Sequence, residues 1–138
     1  MPSVGTIFKV PRLGGVADEL ESIFVRQCYQ DLAEEIFKCE LSAVVGTPGI
    51  GKSLFLQYFV AFLRARHIKR IILARPIEGM VYMFDEATVG KYDLAAFYQS
   101  DAYVRDISTD NKTWFLFDAT SSERESPREC AGNMVVAT

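Results

Sequence analysis

The amino-acid sequence predicts an α/β fold in which helices cover both faces of a mainly parallel sheet, giving three layers. Two observations support this prediction. Short apolar runs typical of buried strands are separated by helical patterns, and the helical pattern at residues 53–66 is apolar nearly all round. The chain has 138 residues, 49% of them hydrophobic, which is enough for one core. We predict a leading segment or linker at residues 1–17 and a single domain at residues 18–138, truncated before the last strands.

The first predicted helix begins near Asp18, which forms a capping-box pattern with Glu21. Apolar residues then recur at helical spacing, so Cys28 is expected on the buried face of this helix. Residues 41–45 form a short apolar run and predict a buried strand, the first of the sheet, which stops at Gly46.

The middle of the chain predicts a strand–helix–strand unit. The helix at residues 53–66 follows the first strand and leads to a buried strand at residues 70–74. The apolar run at residues 80–84 comes too soon after that strand for a crossover helix, so a hairpin or an extension of the strand is expected. The remaining predicted elements are a short helix at residues 93–98 and strands at residues 114–118 and 134–137.

A pattern of glycines, a lysine and a serine joins the first strand to the following helix. It matches GxxxxGK[ST], the P-loop, at every fixed position and consists of Gly46, Thr47, Pro48, Gly49, Ile50, Gly51, Lys52 and Ser53. Such a loop wraps a phosphate with its backbone N–H groups, and the helix dipole adds positive potential. Lys52 would neutralise the β- and γ-phosphates, and the Ser53 hydroxyl would bind Mg²⁺. We predict a P-loop fold whose phosphate-binding residues run from Gly46 to Leu54.

A P-loop enzyme also needs a carboxylate at the end of a neighbouring strand to hold Mg²⁺. Asp85, followed by Glu86, ends one apolar run, and Asp118 ends another. Parallel neighbours need a crossover of about a dozen residues, and only the run that ends at Asp118 has that much chain before it. We therefore predict that Asp118 binds the metal and that Lys52 and Asp118 are the catalytic pair. The predicted ligand is Mg²⁺ with ATP, or with GTP as the less favoured nucleotide.

The residue after Asp118 leaves open whether the chain hydrolyses its nucleotide. Many ATPases have a Glu there to polarise the attacking water, and this chain has Ala119. Hydrolysis would then use another base, such as Glu123 or Glu125, or would be slow or absent. The alternatives to an ATPase are therefore a nucleotide-gated protein-interaction module and a degenerate fragment without turnover.

Three segments resemble the P-loop domain shared by Crinkler-type effectors and retrotransposon-hot-spot-type proteins. They are FVRQCYQDL at residues 24–32, GTPGIGKSLFL at residues 46–56 and TWFLFD at residues 113–118. The resemblance implies an NTPase module of a larger intracellular effector. Crinkler-type modules act inside a host cell, often in its nucleus, so the implied location is host cytoplasm or nucleus. The Leu-Phe-Leu-Ala-Lys delivery signature of those effectors is not found, and the chain is expected to be a fragment.

Charge and composition limit the expected partners. The net charge is −3, which disfavours a protein that coats nucleic acid. Basic residues between Arg64 and Arg75 leave nucleic acid as a weakly supported partner, although cations at a helix end are commonly solvated. Three separated cysteines indicate a reducing, intracellular setting. No apolar run approaches the roughly 18 residues of a membrane span, so no membrane partner is expected. The expected partners are a nucleoside triphosphate and an unidentified protein.

Overall fold

The described strands form a two-stranded antiparallel sheet and a six-stranded sheet, with helices between some of them along the chain. The computed structural model describes residues 5, 7–11, 20–24, 26–45, 51–76, 78–86, 88–101, 103–107, 109–119 and 132–137. The strands are β1 (Ile7–Pro11), β2 (Leu20–Phe24), β3 (Leu41–Val44), β4 (Ile71–Arg75), β5 (Met80–Phe84), β6 (Val89–Asp93), β7 (Trp114–Asp118) and β8 (Asn133–Ala137). The helices are α1 (Gln27–Phe37), α2 (Lys52–Ala65) and α3 (Leu94–Gln99), with a π-helical turn at Tyr103–Ile107.

The larger sheet has the strand order β3-β8-β7-β4-β5-β6. Strands β3, β8, β7 and β4 run parallel to one another, whereas β5 and β6 extend the sheet through two antiparallel pairings. The predicted α/β class with a mainly parallel sheet is confirmed at this level. The carboxyl ends of four parallel strands therefore share one edge, which is where open α/β sheets bind their ligands.

Side chains of the central strands alternate between two apolar clusters, one on each face of the sheet. Ile71 and Leu73 of β4 pack with α1 and α2, whereas Ile72 packs with α3 and the π-helical turn. Leu116 and Phe115 of β7 divide in the same way, as the period of two in a strand requires. Helices thus cover both faces, as the sequence predicts.

Helix α2 is buried on several sides, which explains why its sequence has no polar face. Its aromatic side chains stack along the helix: the ring of Phe59 lies 5.9 Å from that of Phe55 and 5.5 Å from that of Phe62. Phe59 also meets Trp114 of β7 edge to face at 5.6 Å, and it is completely buried. These rings fix the helix against the centre of the sheet.

The short predicted helix at residues 93–98 is observed as α3, shifted by one residue. Its start is set by Asp93, whose Oδ1 accepts a hydrogen bond from the backbone N–H of Ala96 at 3.1 Å. A carboxylate in this position satisfies one of the backbone donors that a first helical turn leaves without a partner.

The predicted start of the first helix is wrong. Helix α1 begins at Gln27, because Leu20–Phe24 forms a strand whose partner is Ile7–Pro11. Backbone groups that pair between these two strands cannot also begin a helix, so no helix begins within residues 20–24. Asp18 lies outside the described residues.

Three further differences concern side-chain exposure. The buried face of α1 is made by Tyr29, Ala33 and Ile36, and Cys28 is exposed rather than packed in the core. Strand β6 was not expected from the sequence because most of its residues are exposed and show no apolar face. Strand β3 also carries exposed apolar groups, since Leu41 is 70% exposed.

Asp110 organises the turn that leads into β7. Its Oδ1 accepts from the backbone N–H of Lys112, and its Oδ2 accepts from Thr113 Oγ1, both at 2.9 Å. Arg70 Nη1 lies 3.8 Å from the same carboxylate. The backbone hydrogen bond from Lys112, then that from Thr113, hold the pKa of Asp110 below its ordinary value, with a smaller contribution from Arg70.

Replacing Asp110 by Asn is expected to lower the free energy of unfolding by about 1 kcal/mol at neutral pH, because a charge-assisted hydrogen bond is lost. A carboxyl whose pKa is lowered by folding stabilises the fold above its unfolded value, here near 3.8, and loses that effect as the pH falls through the folded value. The difference in free energy of unfolding between wild type and Asp110→Asn should therefore be smaller at about pH 3 than at neutral pH. Urea unfolding at both pH values measures this, with exposed Asp101→Asn as the control. An equal difference at both pH values would contradict it.

Candidate functional site

The end of the P-loop pattern lies at the start of α2. Gly51 precedes the helix with a φ of 94°, a left-handed conformation that favours glycine. A Cβ atom at Gly51 would lie 3.3 Å from Tyr29 Oη and 3.6 Å from Arg26 Nη1, so this position is also tight. Lys52 follows and is only 7% exposed. Lysines this buried usually have a compensating anionic or polar partner.

The next two residues differ in what they offer a ligand. Ser53 is half-buried, and its hydroxyl lies in the first turn of α2. Leu54 packs its side chain against the core, so only its backbone would contribute to a phosphate site. The first N–H groups of a helix have no partner within it, and Gly51 adds no side-chain cap. The other predicted loop residues, Gly46, Thr47, Pro48, Gly49 and Ile50, lie outside the described residues.

Asp118 ends β7 at the carboxyl edge of the parallel strands and is 4% exposed. The competing residue, Asp85, follows β5, which runs antiparallel to β4, so it lies at the opposite edge of the sheet. The topological basis for choosing Asp118 is thus confirmed, while its role as a metal ligand stays a prediction. Lys52 belongs to the same edge as Asp118, because α2 begins only a short loop after the carboxyl end of β3.

A chain of charged and polar side chains that the sequence analysis missed continues from Asp118. Arg75 Nε lies 3.6 Å from Asp118 Oδ2, and Arg75 Nη1 lies 2.8 Å from Glu78 Oε1. Tyr82 Oη in turn donates to Glu78 Oε2 at 2.9 Å. The only sequence signal for these contacts is the position of Arg75 at the end of a buried strand. Its closeness to Asp118 becomes apparent only once β4 is paired with β7.

A second group of side chains that was not predicted from the sequence lies where the start of α1 approaches Gly51. Arg26 has its guanidinium 6.0 Å from the ring centre of Tyr29, and both side chains approach Gly51. Burial raises the pKa of Tyr29, and the charge of Arg26 partly opposes that effect. The phenol therefore stays protonated at neutral pH and presents a donor, not a second anion, beside the loop.

The residue after Asp118 offers no base. Ala119 is half-buried against the apolar cluster on the α3 face, and its backbone N–H donates to the carbonyl of Ala137 at 2.8 Å. The two alternative bases considered from the sequence, Glu123 and Glu125, lie outside the described residues.

Mg²⁺ fits the donor chemistry of Ser53 and Asp118, which supply a hydroxyl and a carboxylate oxygen. This ion usually keeps several waters and takes one or two carboxylates together with substrate phosphates, so it does not need a cage of protein ligands. Within the part of the chain that the structure describes, no three His, Cys, Asp or Glu side chains are grouped to hold a metal.

Several cations of the basic stretch are engaged with acids of the fold. Arg66 pairs with Glu34, and its guanidinium lies 3.5 Å from the ring centre of Phe62. Arg70 lies 4.0 Å from Asp85, in addition to its contact with the turn before β7. These contacts disfavour this stretch as a nucleic-acid surface, because its charge is partly neutralised within the molecule.

Comparison with known proteins adds no family to these observations. No protein-family model, no curated protein and no solved structure matches the chain. Among the described helices, none is both long enough and apolar enough to cross a bilayer.

Proposed function

We propose that this chain binds a Mg²⁺-bound purine nucleoside triphosphate, ATP in preference to GTP, at the carboxyl edge of its parallel strands, and hydrolyses it. The observation that supports this most is the placement of Lys52. Lys52 is buried and directly follows Gly51, whose backbone is in the left-handed region. It belongs to a complete P-loop pattern and lies at the same sheet edge as the buried Asp118. A buried cation and a buried carboxylate at this edge suit a ligand that combines phosphate with a metal.

The role of each residue follows from its chemistry. Lys52 and the backbone N–H groups of residues 46–54 would bind the phosphates and stabilise the charge that develops on them. Ser53 and Asp118 would hold the metal, directly or through its waters. Bound Mg²⁺ would bridge phosphate oxygens and neutralise their charge during transfer to water.

A nucleotide-gated protein-interaction module without turnover is the second candidate. Ala119 favours it, because the position next to Asp118 carries a half-buried apolar side chain packed against the core rather than a carboxylate. In either case the resemblance to Crinkler-type effectors supports the proposal of a module that acts with a protein partner in host cytoplasm or nucleus.

Titration of the purified chain with Mg-ATP and Mg-GTP tests the proposal by thermal unfolding. At a ligand concentration a hundred times Kd, we expect stabilisation by about 2.7 kcal/mol. The same titration with EDTA should give a much smaller shift, since Mg²⁺ would be removed. Release of more than one phosphate per chain would identify the ATPase, and binding without release would identify the gated module. No shift with either nucleotide would contradict the proposal.

A further inference from the structure

Arg75 lies between two carboxylates at the carboxyl edge of the sheet. Its side chain is 17% exposed, that of Glu78 is 23% exposed and that of Asp118 is 3% exposed. The guanidinium therefore lies between two anions in a poorly hydrated place, where charges interact more strongly than in bulk water.

The two contacts of Arg75 are not equivalent. The contact with Glu78 is a close ion pair at 2.8 Å, whereas Nε is 3.6 Å from Asp118 and donates no hydrogen bond within the described part of the chain. Nε is nevertheless buried, so its N–H is held beside Asp118 without the hydrogen bond that would offset its desolvation. Arg75 is thus anchored by Glu78 and only approaches Asp118.

The turn between β4 and β5 fixes Glu78 in this position. The backbone N–H of Glu78 donates to the carbonyl of Arg75, and that of Gly79 donates to the carbonyl of Pro76, both at 3.0 Å. Tyr82 Oη holds the second oxygen of the Glu78 carboxylate. The acid that anchors Arg75 is therefore itself held from the backbone and from β5.

We propose that Arg75 is a positioning residue that competes with Mg²⁺ for Asp118, and that Glu78 weakens this competition by holding the guanidinium. This inference rests on the proposed function. A guanidinium 3.6 Å from the metal-binding carboxylate repels an approaching divalent cation. When Mg²⁺ and nucleotide bind, the guanidinium can move fully onto Glu78, its existing partner. Arg75 thereby sets how much Mg²⁺ is needed for nucleotide binding.

The test measures the Mg²⁺ midpoint for binding of a fluorescent ATP analogue by anisotropy. Arg75→Gln removes the competing charge and is expected to lower this midpoint about fivefold, the scale of one partly screened charge pair. Glu78→Gln releases Arg75 towards Asp118 and is expected to raise the midpoint. Arg75→Lys keeps the charge and should retain a midpoint near that of wild type. The matched controls are exposed Arg105→Gln and Glu35→Gln, which should change nothing.

The opposite signs separate this role from structural damage, which would weaken binding in both variants. Thermal unfolding without ligand establishes that each variant is folded. If Arg75→Gln does not fold, Arg75→Lys replaces it in the test, because a raised Mg²⁺ midpoint in Arg75→Lys would also contradict the proposal. A higher midpoint in Arg75→Gln, equal midpoints in all variants, or shifts of the same sign in Arg75→Gln and Glu78→Gln would overturn it. Wild type that binds no nucleotide at any Mg²⁺ concentration would overturn the proposed function and this inference with it.

Discussion

Lys52→Met is expected to weaken Mg-ATP binding by about a hundredfold, which corresponds to about 3 kcal/mol, the upper range for a hydrogen bond to a charged group. Lys52 is buried at the start of α2, so a contact of its ammonium with a phosphate would be poorly screened by water. Methionine keeps much of the apolar stem and removes only the charge. Titration calorimetry of both proteins with Mg-ATP measures the difference.

Lys69→Met is the matched control, because Lys69 is exposed in the loop between α2 and β4. It should bind Mg-ATP as wild type does. Thermal unfolding without nucleotide should show that Lys52→Met is folded. Equal affinities in wild type and Lys52→Met would remove Lys52 from the site and leave the P-loop interpretation without its main residue.

Phe59→Ala is expected to lower the free energy of unfolding by about 4 kcal/mol. Phe59 is completely buried and stacks between two rings of its own helix while meeting Trp114 on the sheet. Its removal therefore leaves a cavity at the centre of the larger core, which neighbouring rings cannot fill without leaving their rotamers. Urea unfolding followed by the fluorescence of Trp114 reports the change at that position.

Leu41→Ala serves as the control for this prediction, because it removes an apolar side chain that is 70% exposed. Its expected cost is within about 0.5 kcal/mol. A loss below about 1 kcal/mol in Phe59→Ala would contradict the packing of α2 against β7, since a buried phenylalanine truncation rarely costs so little.

The sequence was sufficient for elements whose own pattern determines them. Helix α2 is apolar nearly all round because it is buried on several sides, and every residue of strand β7 is buried. Such apolar runs are recognisable without a partner. The choice of Asp118 over Asp85 also followed from the chain alone, since crossover length separates a parallel strand from a hairpin. The binding roles of Lys52, Ser53 and Asp118 stay predictions.

Features that depend on distant residues could not be predicted. Pairing between Ile7–Pro11 and Leu20–Phe24 overrides a local helix-start signal at residues 18–21. Strand β6 is held by its pairing with β5 and has no apolar pattern of its own. The contact of Arg75 with Asp118 requires the β4–β7 register, which no local pattern contains.

The position of β3 has a consequence for how the protein folds. Among the described strands β3 pairs only with β8, so Leu41 finds its partner Met134 about 90 residues further along the chain. Closing so long a loop is slow, and neither of the strands next to β3 in sequence, β2 and β4, pairs with it. We expect β3 to join the sheet late in folding, after β4, β5 and α2 have assembled. During synthesis the proposed nucleotide site would then form only when β8 has left the ribosome.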